Sequence, residues 1–383
     1  MASMTLKIGL IGWRGMVGTV LLERLFQEGD LEGHQLTLFS ESQAGKLIAP
    51  LPAIPPSLVE DAGSLERLEA QDILLSCQGG SYSEKIHPQL RARGWGGYWI
   101  DAASTLRSSP ESVIVLDPLN RSLIERALND GVLDYVGGNC TVSLMLLALH
   151  GLINAGLIEW VSVMSYQAAS GAGAAGVQEL LGQLRQLPGN PPRSPLSTID
   201  EAERCLWEHT PQPILGAPLA VNLIPWIDRE MPEGRSREEW KGQVEAEKIL
   251  GYGSRLGSWG APITSHPFAI DGLCVRVPTL RCHAQALTIK LREPVSLERA
   301  EELIEQANPW VELVPNTRSE SLKGLSPAAC SGSLKIAVGR LRKLRFGEEY
   351  LTLFTVGDQL LWGAAEPLRR VLQMIIDWER SAR

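Results

Sequence analysis

Paired cysteines, long apolar runs and excess positive charge are what this chain lacks. Its six cysteines (Cys77, Cys140, Cys205, Cys274, Cys282, Cys330) never form a CxxC pair, which argues against structural zinc and points to free thiols in a reducing compartment. The longest apolar stretch, Val142 to Leu149, falls far short of the roughly 20 residues that span a bilayer. Thirty-six Lys and Arg against 44 Asp and Glu leave a formal charge of −8, so the overall field attracts neither nucleic acid nor an anionic membrane. An anionic substrate must then find a local basic pocket. The opening Met-Ala-Ser-Met-Thr-Leu-Lys has one lysine and no sustained apolar core, and a cytoplasmic protein is expected. There is no internal repeat, and 44% hydrophobic with 21% charged residues over 383 positions suits two globular domains.

What is present alternates strand and helix. The run Leu6 to Ile11 enters Gly12-Trp13-Arg14-Gly15-Met16-Val17-Gly18, and Val20, Leu21, Leu22 and Leu25 follow at helical spacing. Further strands are expected at Gln35 to Ser40, Asp72 to Cys77, Tyr98 to Asp101, Val113 to Asp117 and Leu133 to Val136, the alternation of a doubly wound α/β sheet. After Gly137-Gly138, Asn139-Cys140-Thr141-Val142-Ser143 opens an apolar helix to about Asn154, and the domain boundary is placed there. Beyond it, strands at Val161 to Tyr166, Cys274 to Val277, Cys282 to Leu291, Ala337 to Leu344 and Leu351 to Val356 describe an α+β domain. Helices are expected at Ser236 to Leu250, with Ser236 and Glu239 as a capping box, and at Ser296 to Ala307. Pro188 to Pro195 and Gly251 to Ala269 read as loops, and the closing Asp358 to Glu379 as a helix interrupted by Pro367 that returns to the first domain.

Several residues carry candidate chemistry, each with a plainer alternative. Glycines after the first strand let a pyrophosphate approach the amides at a helix start, with Arg14 as an added charge, although glycines mark many turns. Glu41, at the end of the second strand, stands near where an acidic residue holds the adenosine ribose of NAD; otherwise it is an exposed carboxylate. Cys140, preceded by Asn139 and opening a helix, sits where the positive helix end lowers a thiol pKa, or else is a small buried hydrophobe. Cys77 reads as packing and Gln78 as lining a cofactor cleft, with Ser81 and Ser83 in a loop beyond. Arg276 and His283 fall on opposite faces of one continuous strand unless Pro278 breaks it; an edge-strand pair is the plain alternative. Glu238 and Lys241 share a helix face and suit a zwitterionic phosphorylated ligand, or form a surface pair. Arg340, Arg342, Lys343 and Arg345 read as a solvated strand face.

Together these segments resemble aspartate-semialdehyde dehydrogenase over nearly the whole chain. The blocks are GWRGMVG at 12–18, CQGG at 77–80, WIDAASTLR at 99–107, GGNCTVSLML at 137–146, YQAASG at 166–171, SREEWKGQ at 236–243, DGLCVRV at 271–277, RCHAQA at 281–286 and TVGDQLLWGAAEPLRR at 355–370. The resemblance implies reduction of L-aspartyl 4-phosphate to L-aspartate 4-semialdehyde with NADPH, releasing phosphate, on the branch to lysine, threonine, methionine and isoleucine. It implies Cys140 as nucleophile through an acyl-thioester, His283 as acid/base and Asn139 with the helix-start amides as oxyanion donors. Substrate would be held by Gln167, Glu238 and Arg276, and phosphate by Arg107 and Lys241. Gly12, Arg14, Gly15, Met16, Val17, Ser42, Gln78, Ser170, Gly171, Pro195 and Gln359 fall at cofactor positions, as does Glu41, whose carboxylate would repel a 2′-phosphate if it pointed inward and leaves NAD possible. A Rossmann-type domain of residues 1–138 plus 358–383, a catalytic and dimerisation domain of 139–357, and a homodimer without metal or nucleic acid follow. The rivals are a related acyl-phosphate reductase of the N-acetylglutamyl-phosphate type, a phosphorylating glyceraldehyde-phosphate dehydrogenase, and a catalytically silent nucleotide-binding protein.

Overall fold

The computed structural model describes residues 5–48, 57–187, 195–209, 214–252, 262–264 and 266–381. Strands β1 (Lys7–Ile11), β2 (Gln35–Ser40), β3 (Glu60–Asp61), β4 (Ile73–Ser76), β5 (Tyr98–Asp101), β6 (Ser112–Val115) and β7 (Asp134–Gly137) form a seven-stranded sheet, ordered β3-β2-β1-β4-β5-β7-β6 and parallel throughout. A parallel sheet needs both faces covered, and successive side chains point to opposite faces. Accordingly Ile8, Leu10, Ile73, Leu75 and Ile100 join one buried cluster, while Ile11, Leu74 and Trp99 join another.

The C-terminal helix Glu366–Ser381 completes the first cluster, setting Leu368, Val371, Leu372 and Ile375 beside Leu21 and Leu25 of helix Met16–Gln27. The end of the chain thus packs on its beginning. Pro367 does not interrupt that helix as its position in the sequence implied: it sits in the first turn, where the missing N–H has no intrahelical partner to lose, after a π-helical turn at Leu361–Ala365. Nor is there a loop at Ser81 and Ser83. Helix Gly80–Ala92 starts at once, because Tyr82, Ile86 and Leu90 at four-residue spacing bury into the second cluster.

The second sheet has six strands: β8 (Ile158–Gln167), β9 (Ala269–Arg276), β10 (His283–Leu291), β11 (Val311–Leu313), β12 (Ile336–Lys343) and β13 (Tyr350–Gly357), ordered β9-β8-β10-β13-β12-β11. It is mixed, with β8 parallel to β9 and antiparallel to β10. Helix Cys140–Asn154 joins the two sheets. It is buried from Thr141 to Ile153, in one cluster with Ile114 of β6 and with Leu287 and Leu353 of β10 and β13. Arg340, Arg342 and Arg345 are exposed, as a solvated strand face requires.

Residues 188–194 of the proline-rich segment and much of the Gly251 to Ala269 segment lie outside the described residues; Pro195 is the first residue of helix Pro195–His209. Among the described residues no helix is long and apolar enough to cross a membrane.

Candidate active site

Two chain directions converge on one point. From the first sheet, β7 ends at Gly137, and Gly138 leads to Asn139, which caps the next helix. Its Oδ1 accepts from the N–H groups of Thr141 (2.9 Å) and Val142 (3.2 Å), satisfying two helix-start donors. The side-chain amide of Asn139 donates to Glu238 Oε1 (2.8 Å) and its backbone N–H to Glu245 Oε2 (2.6 Å). Cys140 is therefore delivered at the first helical position, and no hydrogen bond among the described residues occupies its own N–H.

From the second sheet, β8 ends at Gln167, β9 ends at Arg276 directly opposite it, and β10 begins at His283 on the other side. Arg276 and His283 are thus not on one strand. The connection through Val277 to Cys282, with Cys282 at φ 71°, turns the chain so that the strands flank β8 and both residues reach one sheet end. Gly171 lets them meet: a methyl group there would lie 2.5 Å from Arg276 Nη1 and 3.2 Å from the His283 ring. Gly363 does the same for the thiol, since its methyl would lie 2.5 Å from Cys140 Cβ.

Helix Arg237–Leu250 closes the site. The expected capping box is present, with Ser236 accepting from Glu239 N–H and Glu239 reaching back to Ser236 N–H. It turns a charged face inward rather than to solvent. Glu238 is 7% exposed and accepts from Asn139, Gln167 (3.2 Å) and Lys241 (2.9 Å). Lys241 also donates to Asp228 (2.8 Å). Burial opposes the Glu238 charge, but Lys241 and these hydrogen bonds outweigh it and hold the carboxyl below its ordinary value. For Lys241, burial is likewise outweighed by Glu238 and Asp228, which raise its pKa.

The thiol departs from expectation. Burial pushes Cys140 up to about 12, with Glu238 adding to the rise and Arg107, Arg276 and Lys241 opposing it. A helix start alone does not make a thiolate in a site this enclosed. His283 is fully buried and, through burial and Arg276, pushed down to about 3. Its Nδ1 accepts from Ala168 N–H at 3.1 Å, so the neutral ring carries its proton on Nε2, which has no partner.

Cys140, Asn139, Arg107, Gln167, Ser170, Gly171, Glu238, Lys241, Arg276, Gln359 and Val17 line one cleft of about 450 Å³. Gln359 braces its wall, accepting from Cys282 N–H (2.7 Å) and donating to Ser170 Oγ. A second hollow is lined by Gly12, Arg14, Gly15, Ser42 and Gln78, with Glu41 accepting from Gln78 Nε2 at 2.5 Å beside it. Met16 opens the helix above that hollow. These residues fit a dinucleotide. The Gly15 helix start has no side-chain cap, and Gly12 (φ 75°) and Gly18 touch backbone so closely that side chains there would collide, at 2.7 Å and 2.2 Å. Pro195 begins its helix, and its side chain lies outside the described residues.

Sequence reasoning missed Asp228, Gly363, Glu245 and Lys248. The last two follow Glu238 and Lys241 on one helix face, at spacings of seven and ten, and that charged inward stripe was the available signal.

Residues 7–127 match the NAD-binding domain of semialdehyde dehydrogenases, and residues 149–362 match their dimerisation domain. An aspartate semialdehyde dehydrogenase from Francisella tularensis is 46% identical, with 97% of this chain and 99% of that one covered and a TM-score of 0.91. An aspartate semialdehyde dehydrogenase II from Vibrio cholerae, solved in complex with ASA, is 25% identical over 98% of this chain and 99% of its own, with a TM-score of 0.79. The enzyme from Candida albicans, solved with NADP, shares the fold at 16% identity and a TM-score of 0.66, covering 98% of this chain and 100% of that one. With the two domain matches together covering most of the chain and a 46% identical relative aligned over nearly all of it, the chain belongs to the aspartate semialdehyde dehydrogenase family of oxidoreductases.

Proposed function

We propose that this enzyme reduces L-aspartyl 4-phosphate to L-aspartate 4-semialdehyde with release of phosphate, in lysine, threonine, methionine and isoleucine biosynthesis. The observation that carries the reading is the set around Cys140: one nucleophile at a helix start, facing a cleft that holds two guanidinium groups, one ammonium and one buried carboxylate. That charge pattern complements a ligand with a carboxylate, a phosphate and an ammonium. Arg276 takes the carboxylate, Glu238 the ammonium, and Arg107 and Lys241 the phosphate, with Gln167 positioning.

Cys140 Sγ attacks the acyl carbon, the bond to phosphate breaks, the thiol proton leaves on the departing phosphate, and a thioester remains. The dinucleotide, when bound, supplies hydride for reduction to a thiohemiacetal. Cys140 then leaves as the aldehyde is released. The substrate ammonium neutralises Glu238, one of the charges that raise the thiol pKa, and so favours the thiolate only when substrate is present. His283, the acid/base residue of this reading, keeps its proton on Nε2 and donates it as a hydrogen bond to the thiohemiacetal oxygen until collapse. Asn139 acts as the cap, and the open Cys140 N–H serves as oxyanion donor.

NADPH is the proposed reductant, held at Gly12, Arg14, Gly15, Met16, Val17, Ser42, Gln78, Ser170, Gly171, Pro195 and Gln359. NADH is the second reading, favoured by the Glu41 carboxylate, which Gln78 draws toward the dinucleotide hollow. The division proposed is residues 1–138 plus 358–383 for the dinucleotide and 139–357 for catalysis and dimerisation, in a cytoplasmic homodimer; the dimerisation-domain match supports the pairing.

The test is phosphate-dependent reduction of NADP, with NAD in parallel, using L-aspartate 4-semialdehyde. Activity that requires phosphate is expected. Reduction without phosphate, or inactivity of folded protein, overturns the reading in favour of a related acyl-phosphate substrate or a silent nucleotide-binding protein.

A further inference from the structure

Beneath the cleft, a buried carboxylate of helix Arg237–Leu250 joins two parts of the site that follow different strands of the first sheet. Glu245, 3% exposed, accepts from Arg107 Nη1 at 3.2 Å through one oxygen and from the Asn139 backbone N–H at 2.6 Å through the other. One helical turn on, Lys248, also 3% exposed, donates to the carbonyl oxygens of Arg107 (2.9 Å) and Ser109 (2.6 Å) and to Ser112 Oγ (3.1 Å). The guanidinium is further tied to Gly137 O (2.7 Å) and Ala102 O (3.4 Å). An arginine has five N–H donors. Three are engaged on protein, which leaves two for an anion in the cleft that Arg107 lines.

A carboxylate directly behind an anion-binding guanidinium lowers its attraction for the anion, so electrostatics alone would leave it out. Its effect is geometric. An Arg side chain without such ties spreads over many rotamers, whereas this one is fixed relative to the peptide that carries the nucleophile. We propose that Glu245 is a positioning residue of the reaction, aiming Arg107 at the phosphoryl group of a substrate lying beside Cys140, with Lys248 holding the backbone of the same turn. The inference rests on the proposed phosphate role of Arg107.

The experiment is steady-state kinetics of the whole enzyme in the oxidative direction, varying phosphate and aspartate semialdehyde separately, for Glu245→Gln, Lys248→Met, Lys248→Arg, Arg107→Gln and the Arg107→Gln/Glu245→Gln double variant. For Glu245→Gln the phosphate KM rises about tenfold while the semialdehyde KM stays within about twofold. Lys248→Met shifts the phosphate KM in the same direction by less, and Lys248→Arg, which keeps the charge and donors, restores part of it. In the Arg107→Gln background, Glu245→Gln adds no further rise, because its effect passes through Arg107. An unchanged phosphate KM, a parallel loss of every parameter, or additive effects in the double variant overturns the proposal. Should Glu245→Gln not fold, the Lys248 pair decides by the same split. Absence of phosphate dependence in the unsubstituted enzyme instead overturns the functional reading beneath it.

Discussion

The cleft lies between two helix starts that solve opposite problems with the same peptide groups. Helix Met16–Gln27 begins at Gly15 with no side-chain cap, while helix Cys140–Asn154 begins at Asn139, whose carboxamide closes two amides. An open start leaves several donors free for an anion; a closed start leaves one, beside the Cys140 side chain. In the function proposed, a glycine and an asparagine before two otherwise similar strand-to-helix turns decide which serves as an anion cradle and which as a nucleophile platform. The closed start is also the enclosed one, and burial there raises the Cys140 thiol pKa.

The most forceful way to separate the two starts is Cys140→Ala, which strikes only the closed one. Turnover should fall at least about 10⁴-fold while dinucleotide affinity, followed by fluorescence titration, stays unchanged. At the open start the glycines should divide. Gly18→Ala drives a methyl to 2.2 Å from Gly12 O and should cost about 1–3 kcal/mol of stability along with dinucleotide binding. Gly15→Ala has φ −71° and its nearest contact at 3.4 Å, so it should leave Tm nearly unchanged yet raise the dinucleotide KM about tenfold by standing between anion and amides. Equal effects of the two substitutions would erase the distinction.

Smaller changes sharpen the closed start. Removing the Glu238 charge should lower the Cys140 pKa, so Glu238→Gln should alkylate Cys140 with iodoacetamide about 3–10-fold faster at pH 8 while turning over more slowly. Slower alkylation would mean that Glu238 is not what restrains the thiol. Asn139→Ala should lose about 1–2 kcal/mol in denaturant unfolding, the worth of a cap with a buried partner left behind.

The last prediction concerns His150 in the same helix, which burial pushes down to about 4. Between the unfolded value of about 6.5 and that figure, the unfolded chain binds a proton that the folded one refuses, so stability falls as pH falls through this window. His150→Leu should recover about 1–2 kcal/mol of the loss between pH 7 and 4.5.

Much of this was legible in the sequence, and the limits have physical causes. Parallel strands such as Gln35–Ser40 and Tyr98–Asp101 show their full extent because they are short apolar runs bounded by turn residues. The capping box at Ser236 was visible because it is local. Arg276 and His283 were not placed, since spacing along a chain says nothing of which strand pairs between them; β8 does. The Cys140 thiol was misjudged because the helix start is written in sequence, whereas enclosure by Glu238 and the second sheet is not. Glu245 was missed for a related reason: a charged stripe at helical spacing reads as solvent-facing until the element that covers it is known.

The covalent role of Cys140 is read most directly from a single-turnover reaction of the enzyme with L-aspartyl 4-phosphate and no reduced dinucleotide. Release of about one phosphate per subunit and an aspartyl mass increment on the peptide containing Cys140 are expected, both absent in Cys140→Ala. Phosphate release without the adduct, or an adduct on another residue, would contradict that role.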